Sequence, residues 1–360
     1  MICEELFILL RLGLELSTVE KEDISLFSCL NEEEWRGLMN TAQEQGVLGI
    51  ALDGLSQLGT IDNLNNTHSP WFFELIGGIL ARENLNNHQI QVIGDLSKIW
   101  AKNDVKMLIL KGQSNGLYYP NPLHRDCGDI DCYLLGEYEK GNDIIKDIGI
   151  VVDEDWEKHS KFGYKGETVE NHQFFVQTLD KEWSKAINND LFQILQEKVI
   201  EWVDGSEIFL PDAQFNALFL TYHAMDHFLM GNLKLKQIID WAMFINKEKG
   251  IINWDKLNQT CHKYNLHNFL GIMNSIALTC LGVELVYGSI IETDIKVRKR
   301  FIQAVFYDKD FIWDNSAGRW HGRFHFFNHV LNNRWKYNIA GRSTIKTLWF
   351  YISSYKERNH

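Results

Sequence analysis

The stretch VKMLILKGQSNGLYYPNPLHRDCGDIDCYLL, Val105 to Leu135, sets the architecture of this 360-residue chain. Val105 to Leu110 is an apolar run of a buried strand's length and too short for most helices. Lys111-Gly112 ends it, and a polar segment with Gly116, Pro120 and Pro122 follows. Gly128-Asp129-Ile130-Asp131 then leads into a second apolar run, Cys132 to Leu135. Side chains alternate along a strand, so Asp129 and Asp131 share one face. Neighbouring carboxylates repel unless a cation lies between them, so the pair outlines a divalent-metal site. The Lys-Gly turn closing the neighbouring strand offers a polyphosphate exposed backbone N–H groups and a positive charge.

Upstream, the spacing of apolar residues predicts helices over Glu4 to Leu16, Val19 to Leu30 and from Asn31 on. Asn31 is an N-cap residue with Glu32, Glu33 and Glu34 in the first turn. Asn63 to Ser69 reads as a polar loop, and Trp71 to Lys102 as a long helix running into the first strand. Downstream, Asn142 to Ile148 reads as a helix. Trp156 to Gly163 and Glu167 to Gln177 flank a Tyr-Lys-Gly turn, the signature of a hairpin. Leu191 to Ile200 reads as an amphipathic helix and Glu207 to Leu210 as a short apolar run. Pro211 suits a first helical turn, and helices dominate from there on.

Composition narrows the class. Hydrophobic residues make up 45% and charged residues 23%, as in soluble globular proteins, and 4 prolines leave room for long helices. A formal charge of −12 argues against a generic nucleic-acid binder. The charge is uneven: Lys296 to His360 holds thirteen lysines and arginines against four acids. That basic segment either meets phosphate from a nucleotide or tRNA, or docks on the acidic remainder of the chain. The six cysteines form no C-x-x-C pair, and the N-terminus lacks a basic n-region, so a reduced, cytoplasmic chain is expected. No uncharged stretch approaches the ~20 residues of a membrane span.

Two histidine arrays stand out. His223 and His227 lie four apart on one helix face, but no glutamate follows His223, so the H-E-x-x-H protease pattern is absent. Buried imidazoles bonded to Asp226, Asp240 or backbone explain the pair without metal. His321, His325 and His329 also repeat every four residues, beside Arg319 and Arg323, as a phosphate-lining face or a packed helix face.

The run LKG, tyrosines and prolines, then R-x-x-G-D-I-D resembles the uncharacterised nucleotidyltransferase family of the polymerase-β-like superfamily. The resemblance continues in Val169-Glu170-Asn171-His172 and in the helical pattern from Leu218 to Phe244. It implies an α+β, mostly helical fold. A small mixed-sheet core (104–188) would carry an N-terminal helical cap (1–103) and a C-terminal helical domain (189–360). It also implies NTP as substrate with Mg²⁺ or Mn²⁺ bound by Asp129, Asp131 and Glu170, the last standing where the third carboxylate of the family falls. Lys111, Gly112 and Ser114 would contact phosphate. Arg125 would do so too, or serve as counter-ion to the aspartates. Gln113 departs from the family's usual Gly or Ser. The acceptor is open: a small molecule, a protein or tRNA, with sequence-specific DNA binding and membrane insertion not expected. A phosphocholine-type phosphotransferase and a non-catalytic nucleotide-binding module are the competing readings.

Overall fold

The computed structural model describes residues 2–18, 20–58, 70–154, 158–178, 180–286, 293–308 and 319–349. The loop expected at 63–69 lies outside the described residues. Five helices come first: α1 (Ile2–Gly13), α2 (Lys21–Ser28), α3 (Glu32–Glu44), α4 (Leu48–Gln57) and the long α5 (Pro70–Ala101). Asn31 caps α3 in a reciprocal box, its Oδ1 accepting from Glu34 N while Glu34 Oε2 accepts from Asn31 N. Helices α1 and α4 cross at paired glycines. A Cβ on Gly13 would stand 2.0 Å from Ile50 O, and one on Gly54 2.0 Å from Leu9 O. Gly54→Ala is therefore expected to cost about 1–3 kcal/mol by overpacking, read as a lower urea midpoint. Gly77→Ala on α5, where a Cβ meets nothing within 4 Å, should instead stabilise by up to about 1 kcal/mol.

The core follows in chain order as β1 (Leu108–Ile109), α6 (Gln113–Gly116), β2 (Ile130–Tyr133), α7 (Tyr138–Asp147) and β3 (Val152–Asp153). Next come β4 (His159–Tyr164), β5 (Glu167–His172), α8 (Lys181–Ile194), β6 (Glu197–Glu201) and β7 (Glu207–Pro211). The strands form one mixed sheet in the order β3-β4-β5-β2-β1-β7-β6. The expected hairpin is β4–β5, turning on Lys165 and Gly166, both at positive φ, the conformation of a two-residue type I′ turn.

Three expectations are corrected here. Helix α8 stops at Ile194, and Glu197 to Glu201 is a strand rather than the end of an amphipathic helix. Its pattern, EKVIE, is that of a charged edge strand, and its partner is supplied from ten residues further on. Pro211 closes β7, and Asp212 is the N-cap of the helix that follows. The sheet therefore runs past residue 188, since β7 pairs in parallel with β1, Leu108 opposite Phe209.

Alternation divides the sheet into two faces. Ile109, Ile130, Cys132, Phe162 and Val169 pack with Val92, Leu96 and Trp100 of α5 and Ile145 of α7. The opposite face carries Leu108 and Tyr133 into a larger core with the C-terminal helices. These are α9 (Ala213–Met230), α10 (Leu235–Glu248), α11 (Trp254–Lys263), α12 (His267–Thr279), α13 (Ile295–Tyr307), α14 (Arg319–Asn332) and α15 (Arg334–Ile339). Asp212 Oδ1 caps α9, and Gly231 ends it at φ 82°. Part of the basic segment docks inward: Lys346 pairs with Asp180 at 3.1 Å and buried Lys336 with Asp308 at 2.5 Å. Arg300 and Arg342 lie over the rings of Trp335 and Trp183. Among the described residues no helix is long and apolar enough to cross a membrane.

Candidate active site

Three strands bring the charged residues together. In the parallel pair β2–β5, Asp131 stands opposite Glu170. In the antiparallel pair β4–β5, Lys161 stands opposite Glu170 and His159 opposite His172. The two-residue period puts Asp129, Asp131, His159, Lys161, Glu170 and His172 on one face, away from the Trp100 cluster.

Asp131 is buried, and both its oxygens are engaged. Lys111 Nζ lies 2.5 Å from Oδ2 and His172 Nε2 2.9 Å from Oδ1. Glu170 Oε1 lies 3.0 Å from Lys161 Nζ and 3.5 Å from His159 Nε2, and its Oε2 lies 3.7 Å from His172 Nε2. Asp129 sits at the exposed mouth just before β2, its Oδ2 3.4 Å from Lys161 Nζ. Burial pushes both inner carboxyls up, and the cations overcome it. Lys111 first, then His172, hold Asp131 well below the ordinary carboxylate range. His172 first, then His159 and Lys161, bring Glu170 down to about 2 against the repulsion of Asp131. Both are therefore ionised at neutral pH.

The donor set suits a hard divalent cation. The observation that tests the fit is Lys161: one ammonium already contacts both Asp129 and Glu170. These carboxylates are spaced to share a cation.

The turn after β1 is built around Gly112, whose φ of 72° and ψ of −114° suit a residue without a Cβ. Ser114 in α6 is buried, and its hydroxyl has no hydrogen-bond partner. Gln113 points elsewhere. Its amide nitrogen donates to Asn86 and Gln89 of α5, and Gln89 in turn donates to Gly128 O and Glu167. The residue that departs from the family pattern thus ties the turn to α5 and to the segment before Asp129.

Arg125 is not the counter-ion of Asp129 and Asp131. It is buried in a bidentate pair with Asp240 of α10, at 2.8 and 2.6 Å, with Nη1 3.2 Å from Cys127 Sγ. Asp240 also accepts from Tyr119 at 2.6 Å and Asn115 at 3.1 Å. The carboxylate expected as a possible partner of the α9 histidines is therefore engaged here. His227 Nδ1 instead meets Asn232 Oδ1 at 2.8 Å, and the His223 and His227 rings stand edge to face at 4.5 Å. Burial, then the Lys111 charge, lowers His223 well below the ordinary imidazole range. Of the second array, the side chain of His321 lies outside the described residues. His329 Nε2 meets Leu229 O at 2.9 Å, a packing contact.

Sequence reasoning missed His159 and Lys161. The signal was present: a two-residue turn at Lys165-Gly166 pairs Tyr164 with Glu167, and counting back gives Lys161 opposite Glu170 and His159 opposite His172.

A family model described as "Uncharacterised nucleotidyltransferase" matches residues 31–282, which takes in all seven strands and the whole charged face. The chain belongs to that family. Within the uncharacterised nucleotidyltransferase family, the matched region carries the turn after β1, the paired aspartates and the hairpin glutamate. No curated protein matches the chain. Among solved structures, an antigenic nucleotidyltransferase-like protein from Paracoccidioides brasiliensis is similar over 57% of this chain and 96% of its own. The identity is 12% and the TM-score 0.33.

Proposed function

We propose that this protein transfers a nucleoside monophosphate from an NTP to a hydroxyl of an acceptor, releasing pyrophosphate, with Mg²⁺ or Mn²⁺. The observation that carries the reading is the Asp131–Glu170 register with Asp129 at its mouth, where a single cation reaches two carboxylates. Asp129, Asp131 and Glu170 would hold the metal, which supplies neutralisation of phosphate charge and activation of the hydroxyl. Lys111 sits at the phosphate end with the Gly112 turn and the unpartnered Ser114 hydroxyl. Glu170 orients the acceptor O–H. As the oxygen bonds to the α-phosphorus, the bond to the β-phosphate oxygen breaks, its electron pair leaves on pyrophosphate, and the proton passes through Glu170 to solvent. Arg125 acts as a structural anchor in this reading, through Asp240.

The test is transfer of label from each of four α-³²P NTPs, with Mg²⁺ or Mn²⁺, to acceptors in a cell extract. Wild type is expected to label at least one acceptor and Asp129→Ala/Asp131→Ala none. Metal-dependent nucleotide binding without transfer under every condition would favour a binding module instead. Absence of both binding and transfer would remove the central reading.

A further inference from the structure

We infer that the hairpin side of the site is an imidazole-rich centre for a transition-metal dication, zinc foremost, held by His159, Glu170 and His172. The ligand atoms of these three residues all lie within 4.8 Å of one another. Two of the separations, 3.5 Å from His159 Nε2 and 3.7 Å from His172 Nε2 to the Glu170 oxygens, are long for hydrogen bonds. They resemble the edges of a coordination polyhedron, which roughly 2.0–2.2 Å metal bonds at tetrahedral angles make a little over 3 Å.

The surroundings of His172 supply an independent argument. Its Nδ1 lies 3.3 Å from Phe174 O, and a carbonyl only accepts, so Nδ1 carries the hydrogen. The other ring nitrogen, Nε2, faces two carboxylates, Asp131 Oδ1 at 2.9 Å and Glu170 Oε2 at 3.7 Å. A ring nitrogen and two carboxylates turned toward one point call for a positive charge there, either a proton or a metal. An imidazole that donates its far N–H to a backbone carbonyl is how metal-bound histidines are usually fixed. His159 and His172 are cross-strand partners with ring centroids 5.3 Å apart, so the hairpin itself presents both nitrogens. Lys161, whose side chain is more than a third exposed, can swing away from Glu170 to admit the ion.

Two imidazoles and one carboxylate select zinc, cobalt or manganese over magnesium, which prefers an all-oxygen shell. Three protein ligands also leave an open position. Facing the acceptor side of Glu170, that position would receive the acceptor oxygen. This role rests on the transfer reading, but the binding site does not.

The experiment uses the full chain freed of metal by chelation and titrated with Co²⁺, followed by visible d–d absorption and elemental analysis. Wild type is expected to bind about one equivalent with the spectrum of a low-coordinate, nitrogen-ligated ion, displaced by Zn²⁺ and not by Mg²⁺. His159→Ala and His172→Gln should each weaken binding at least tenfold, while Asp129→Asn leaves the spectrum in place. Far-UV circular dichroism confirms that each variant is folded, and His159→Cys, which keeps a ligand atom, should retain a shifted spectrum. Failure of wild type to bind Co²⁺, or binding indifferent to both histidine variants, would overturn the inference. Label transfer with Mg²⁺ alone, together with no Co²⁺ site, would leave the transfer reading standing. A Co²⁺ site without label transfer would do the reverse.

Discussion

Asp131→Asn is expected to lower the rate of nucleotidyl transfer on the order of 10³-fold, about 4 kcal/mol of transition-state stabilisation. Asp131 is the carboxylate with no slack. It is buried, Lys111 holds one oxygen and His172 the other, and Glu170 stands beside it in the parallel ladder. Asparagine keeps the shape and one acceptor but removes the charge a divalent cation needs. Lys111 would then lack its anion, yet its side chain is partly exposed and can turn to water, so the fold should survive. The check is single-turnover transfer measured beside thermal denaturation: activity should collapse while the midpoint moves by a few degrees at most. A variant that keeps more than a tenth of wild-type activity would exclude Asp131 as a metal ligand.

Asp240→Ala should have the largest effect on stability, a loss of about 3–5 kcal/mol from a typical margin of about 5–15 kcal/mol. The substitution strands a buried guanidinium, the Tyr119 hydroxyl and the Asn115 amide, all of which donate to that carboxylate. Replacing both ends, as in Arg125→Met/Asp240→Leu, should recover much of the loss, because the uncompensated charge is then gone. The pH dependence has a definite sign. Burial raises the Asp240 carboxyl, but Arg125 outweighs it, so the folded-state value lies below the ordinary one. Its contribution is therefore fully present above the unfolded carboxylate pKa of about 4 and is lost as pH falls through the folded value. Urea midpoints of wild type and Asp240→Ala should stay well separated from neutral pH down to about 5 and converge in acid. A constant gap down to pH 2 would contradict the pairing.

The two expectations also mark how differently the two residues could be read. Asp131 belongs to a local pattern: alternation after an apolar run identifies its face, and the Lys-Gly turn lies only twenty residues upstream. Asp240 lies 115 residues from Arg125, and the sequence carried no sign that the two meet. The nearer aspartates looked like the natural partners. The same distinction separates the hairpin from the edge of the sheet. Lys165-Gly166 announced β4 and β5 because a tight turn enforces its own register. Strand β6, flanked by acids and following a helix, revealed itself only through its pairing with β7.

The sequence alone determined the long α5, the α3 cap, the aspartate pair on one strand face and the hairpin that carries Glu170. Each depends on periodicity, a cap or a turn, interactions between residues a few positions apart whose energetics any short window contains. Tertiary structure decided that Asp131 and Glu170 are neighbours, that Gln113 faces α5, that Arg125 turns to Asp240 and that two imidazoles flank Glu170. Those outcomes come from non-local strand pairing and from burying charged groups only where partners await them. That balance is spread over the whole core and is written in no single stretch.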